Sequence, residues 1–138
     1  MFRILLILLL SMTLIGCSNN NDENNPQASS ATHPPVVEEA IALVSEERDV
    51  NKVQAIANEE NLVIAFKVNS LKNFQLKKIK KSIKEKVEKN FPDYDVTVST
   101  DLKIMLELNK LQEEQDTLSE DEFKQALQKI IDLEKEET

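Results

Sequence analysis

Three patterns predict a small α+β domain of order α-β-β-α-β-α-α, with a three-stranded sheet and C-terminal helices, following a signal peptide and a flexible tether. Leu62, Ile64, Phe66 and Val68 alternate with the period of a strand. Leu76, Ile79, Ile83 and Val87 recur at helical spacing and form one stripe. Ser119-Glu120-Asp121-Glu122 is a capping box, which announces a last helix.

The chain opens on a short positive start, Met1-Phe2-Arg3, and an apolar run from Ile4 to Ile15 interrupted only by Ser11 and Thr13. That run has the length of a secretory h-region and falls short of the roughly 20 residues a bilayer span requires. Residues 1–16 are therefore expected to be a signal peptide. Ser18 to Pro35 is rich in Asn, Ser and Pro with almost no apolar content, too little to order itself by burial, so residues 17–35 read as a disordered tether.

Val37, Ala40, Ile41 and Val44 predict a short amphipathic helix from Val36 to Glu47 or Arg48. Two strands, Val53–Ala57 and Leu62–Val68, follow around the polar loop Asn58-Glu59-Glu60-Asn61. A single helix over 36–60 is the competing reading, and the alternation after Leu62 favours the hairpin. The stripe from Leu76 to Val87 predicts a helix over 74–89, stopped by Asn90 and Pro92. Asp95–Ser99 is the third strand, and Asp101 is placed to cap a helix bearing Ile104, Leu108 and Leu111. Around the capping box, Leu118 and Phe123 stand as a hydrophobic staple, and Phe123, Ala126, Leu127, Ile130 and Ile131 form the apolar face of the last helix. The expected divisions are thus 36–115 for the α+β domain and 116–138 for the C-terminal amphipathic helix.

Composition excludes several chemistries. The whole chain carries 17 basic and 25 acidic residues, a balance that argues against a general nucleic-acid partner. Gly16 is the only glycine, so no phosphate-cradling glycine loop exists in the exported part. His33 is the single histidine and lies in the tether, and Cys17 is the single cysteine, which leaves no internal disulfide and no imidazole-based triad. Neither a metal nor a cofactor is expected. Asp93 and Asp95 flank a turn after a helix, where turn chemistry uses the same residues; a hydrolase built on Asp93, Asp95 or Asp101 is the remaining catalytic alternative.

One segment departs from the acidic average. Lys72, Lys77, Lys78, Lys80, Lys81, Lys84, Lys86 and Lys89 stand against only Glu85 and Glu88. With the stripe set by Leu76, Ile79, Ile83 and Val87, the outward positions are Lys78, Lys81 and Lys89, with Lys77, Lys84 and Lys86 flanking. The plain reading is a solvated face balancing Glu113, Glu114, Asp116 and Asp121. The functional reading is an anionic-surface site made by Lys77, Lys78, Lys81, Lys84 and Lys89, each lysine adding about 1 kcal/mol near anionic headgroups.

Leu14-Ile15-Gly16-Cys17 resembles the lipobox of bacterial lipoproteins. That resemblance implies cleavage between Gly16 and Cys17, a diacylglyceryl group on the Cys17 thiol, and a membrane anchor. The lipobox, the Asn-rich tether, Asp49-Val50-Asn51-Lys52-Val53, the strand Leu62–Val68, the lysine-rich helix and Tyr94-Asp95-Val96-Thr97-Val98-Ser99-Thr100-Asp101 together resemble the YhcN/YlaJ sporulation lipoproteins of spore-forming bacteria. Over residues 36–111 the resemblance implies a lipoprotein of the spore inner membrane, linked to germination or outgrowth, with a protein partner in the spore envelope and no catalytic residues to carry over. Family members often have Gly at turns where this chain has Asp49-Val50 and Asn58–Asn61. The order α-β-β-α-β is also similar to BON-type domains, associated with phospholipid surfaces and other envelope components.

Overall fold

In the computed structural model the described residues are 34–69 and 73–137. The elements are α1 (Pro35–Ser45), β1 (Val50–Ala57), β2 (Asn61–Val68), α2 (Asn73–Asn90), β3 (Asp95–Ser99), α3 (Leu102–Glu114), a 3₁₀ turn (Gln115–Thr117) and α4 (Glu120–Glu137). The hairpin, and not a single helix over 36–60, is present. The signal peptide with Gly16, residues 17–33 of the expected tether with Cys17 and His33, and Lys72 lie outside the described residues, while Pro35, expected to end the tether, instead opens α1.

The sheet order is β1-β2-β3, antiparallel between β1 and β2 and parallel between β2 and β3. The parallel pair follows from the crossover through α2, since a parallel partner cannot be reached by a tight turn. The centre strand, β2, is buried without a break from Leu62 to Phe66. Its alternation is therefore only half of its pattern: Val63 and Ala65 are also buried, because both faces of a central strand are covered.

On one face Leu62, Ile64 and Phe66 join Ala55, Ala57, Val96 and Val98, packed under Val37, Ala40 and Val44 of α1 and Ile83 and Val87 of α2. On the other face Ile56, Val63 and Ala65 pack under Ile104, Met105, Leu108 and Leu111 of α3 and Leu127, Ile130 and Ile131 of α4. The result is a helix-sheet-helix sandwich in which α4 docks beside α3.

Local chemistry sets the ends of the elements. Pro35 opens α1 one residue before the expected start, at the first helical position, where its missing N–H has no helical partner to lose. The hairpin turn is held by Asn58, whose Oδ1 accepts from the amides of Glu60 (3.0 Å) and Asn61 (2.7 Å). No described residue has positive φ, so this side-chain turn, and not a left-handed residue, replaces glycine here. At the end of α2, Asn90 Nδ2 donates to the Lys86 carbonyl (2.8 Å). Asp101 caps α3 by accepting from Lys103 N (2.6 Å) and Ile104 N (3.4 Å).

The capping box also forms. Ser119 N donates to Glu122 Oε2 (2.9 Å), the Ser119 hydroxyl donates to the same oxygen (2.7 Å), and Glu122 N lies 3.4 Å from Ser119 Oγ. These bonds, the hydroxyl's first, hold the Glu122 carboxyl below the usual glutamate range. Leu118 and Phe123 both pack at the margin of the second core.

Candidate functional site

Helix α2 presents its stripe to the first sheet face, with Ile83 and Val87 fully buried and Ile79 partly so. Lys77, Lys78, Lys81, Lys84 and Lys89 are all exposed. They do not form one patch. Lys77, Lys81 and Lys84 line one wall of an open groove of about 1080 Å³, whereas Lys78 and Lys89 lie outside it.

The floor of this groove is β3 and the residues after it, Asp95 through Asp101 without a gap, and the opposite wall comes from the end of α4, at Glu134, Lys135 and Glu137. Lys80 Nζ and Glu134 Oε1 form an ion pair across it. Glu134 also accepts from the hydroxyl of the fully buried Ser99 (2.5 Å). The same hydroxyl accepts from Asp101 N (3.1 Å), which turns the chain into the α3 cap. Ser99 and Asp101 are thus engaged in holding β3 to α3 and α4.

Neither Lys80 nor Glu134 was among the residues expected at a site. A signal for the pair was present: Lys80 follows Leu76 by four residues, and Glu134 follows Ile130 by four and Ile131 by three, so each charge continues an apolar stripe. Opposite charges on two buried stripes are matched partners, because a lone buried charge is costly.

The other lysine contacts also correct the expected balance. Lys81 pairs with Glu85 (3.9 Å) and Lys84 with Glu88 (3.7 Å) within α2. Lys86 reaches the end of α1, donating to the Leu43 carbonyl (3.3 Å) and pairing with Glu47 (3.1 Å) and Glu46 (3.5 Å). Those are not the Glu113, Glu114, Asp116 and Asp121 anticipated, which belong to the far end of α3, the 3₁₀ turn and the start of α4. The cation at the C-terminus of α1 offsets the two acids there. The hydrogen bond to Glu47, outweighing partial desolvation, raises the Lys86 pKa above its ordinary value.

Asp93 sits in a turn closed by Tyr94 N on the Phe91 carbonyl (3.2 Å), with Pro92 at its second position. Asp95 N donates to the Glu60 carbonyl (2.8 Å) and starts the β2/β3 ladder. Both side chains are exposed. Among the described residues no helix is long and apolar enough to cross a membrane.

A family model described as sporulation lipoprotein YhcN/YlaJ matches residues 16–132. Neither a curated protein nor a solved structure matches the chain.

Proposed function

Because the chain belongs to the YhcN/YlaJ family of sporulation lipoproteins, we propose that it is a membrane-anchored, non-catalytic interaction module of the spore inner membrane that contributes to germination or outgrowth. One observation carries this reading. The family match begins at Gly16, the residue before Cys17, and runs through most of α4, so one match spans both the cysteine of the lipobox resemblance and the folded domain. Two acyl chains on Cys17 give a stable anchor where one alone gives marginal binding. The engagement of Ser99 and Asp101 in structural bonds supports a role in binding over catalysis.

The test is Cys17→Ala in a sporulating host. Loss of lipid labelling, with an uncleaved precursor or protein released from membranes, is expected. Normal processing and equal membrane retention in that variant would overturn the anchoring.

A second reading is favoured by the row of exposed lysines on α2: a module that binds anionic lipid or an envelope polymer, as in BON-type domains. Its signature is salt-sensitive binding, since screening shortens the reach of surface charge.

A further inference from the structure

Strand β3 is bonded to β2 along one side. Asp95 donates its N–H to the Glu60 carbonyl and is in register with Asn61. In a parallel ladder that bond marks Asp95 as a residue whose N–H and C=O both face the neighbouring strand, and strand alternation turns Thr97 and Ser99 the same way. The main-chain N–H and C=O groups of Val96 and Val98 therefore face away from the sheet, although their side chains are buried under α1 and α2. Every residue from Asp95 to Asp101 lines the groove. Successive side chains point to opposite faces, so an unbroken run lines a groove only where the groove follows the strand's outer edge.

We propose that this groove takes up an extended acidic peptide of a partner protein as a fourth strand, bonded through main chain to Val96 and Val98 and attracted by Lys77, Lys81 and Lys84. Edge strands with unpaired main-chain groups are templates for such addition, and neighbouring side chains select the partner. Lys77, Lys81 and Lys84 fall at i, i+4 and i+7 and share one helix face. The pairs that Lys81 and Lys84 make within α2, at 3.9 and 3.7 Å, are solvent-exposed and weak. Of the groove's acids, Glu134 is engaged with Lys80 and Ser99 and Asp101 with amides of α3; the exposed Asp95 and Glu137 stand on β3 and α4, not on the lysine wall of α2.

Charge also disfavours two other occupants. Pairing β3 with β3 of a second copy in one continuous sheet would set lysine row against lysine row, because a two-fold axis normal to the sheet keeps α2 on the same side in both copies. The chain's own tether carries only Asp22 and Glu23 as acids. The inference rests on the reading of the domain as a binding module and not on its anchoring, which the Cys17 labelling reports separately.

The test is a titration of the full chain in detergent micelles, read by amide resonances and hydrogen exchange. The probe is a capped six-residue peptide alternating glutamate and valine, compared with the same peptide N-methylated at its central amides. The intact peptide is expected to shift and protect the Val96 and Val98 amides, with affinity falling at least tenfold on N-methylation. Lys77→Gln/Lys81→Gln/Lys84→Gln is expected to weaken it at least tenfold while the Thr97 and Ser99 amides, bonded to β2, stay protected and report an intact fold. Equal binding of both peptides, or no effect at Val96 and Val98, overturns the proposal. So does protection before peptide is added, which in a dimer assigns the edge to a second copy and in a monomer to the tether. Protection produced by phosphatidylglycerol vesicles and not by peptide assigns the groove to lipid.

Discussion

Lys80 on α2 and Glu134 on α4 join two helices that pack on opposite faces of the sheet, and their ion pair reaches round the edge of β3 to do so. Lys80 keeps 27% of its side-chain exposure and Glu134 only 8%. The pair therefore lies between a surface bridge, worth little, and a buried one, whose separation leaves an uncompensated charge.

Glu134→Ala is expected to destabilise the domain by about 1–3 kcal/mol, below the cost for a fully buried pair because Lys80 can reach water. Lys80→Met/Glu134→Leu should be less destabilised than Glu134→Ala alone, since no charge is left without its partner. Urea denaturation of the three proteins decides this. A double variant weaker than Glu134→Ala would show the pair to be more than a matched neutral substitute.

The second core predicts that α4 is integral to the fold. Leu127, fully buried against α3 and the sheet, should cost about 2–5 kcal/mol on replacement by Ala. Leu106, 57% exposed on α3, should change stability by less than about 0.5 kcal/mol. Similar losses at both positions in thermal unfolding would contradict the packing described.

Glu122 gives a pH dependence of fixed sign. Its carboxyl is held below 4.5 in the folded state by bonds from Ser119, so the contribution of the charged form is present above 4.5 and is lost as pH falls through the lowered folded value. The stability gap between the protein and Glu122→Ala should thus be constant at neutral pH and close in acid. A gap that widens in acid would reverse the sign. Ser119→Ala, which removes the cap, should cost about 1 kcal/mol.

The exposed lysines outside the groove separate membrane contact from strand capture. If α2 also meets anionic lipid, Lys78→Gln/Lys89→Gln should weaken binding to phosphatidylglycerol vesicles by at most about 2 kcal/mol, taking about 1 per lysine, and leave the glutamate-valine peptide's affinity unchanged. Added salt should weaken the vesicle binding. Vesicle binding that is insensitive to both the variant and salt would remove a membrane role for this face.

Much of the local structure was legible from residues close in sequence. The stripe Leu76, Ile79, Ile83 and Val87, the Asp101 cap and the Ser119/Glu122 box each depend on neighbours within four positions, and the structure places helices at all three. Boundaries were less legible: β1 begins at Val50 and not Val53, because Val50 is held by pairing to Val68 across the hairpin. The lysines were legible as a basic face but not as two groups, since membership of the groove wall depends on where β3 lies.

By itself the sequence determined the order of elements, the caps that start α3 and α4, that the chain carries a single glycine and a single histidine, and the lipobox resemblance. Tertiary structure alone decided which sheet face each helix covers, that β2 is the centre strand, and that Lys80 meets Glu134 across 54 positions of chain. The physical reason is the range of the forces involved. Helical period and capping act over one turn, whereas layer assignment and the buried ion pair follow from the joint burial of two apolar faces of one sheet. No local stretch of residues carries that constraint.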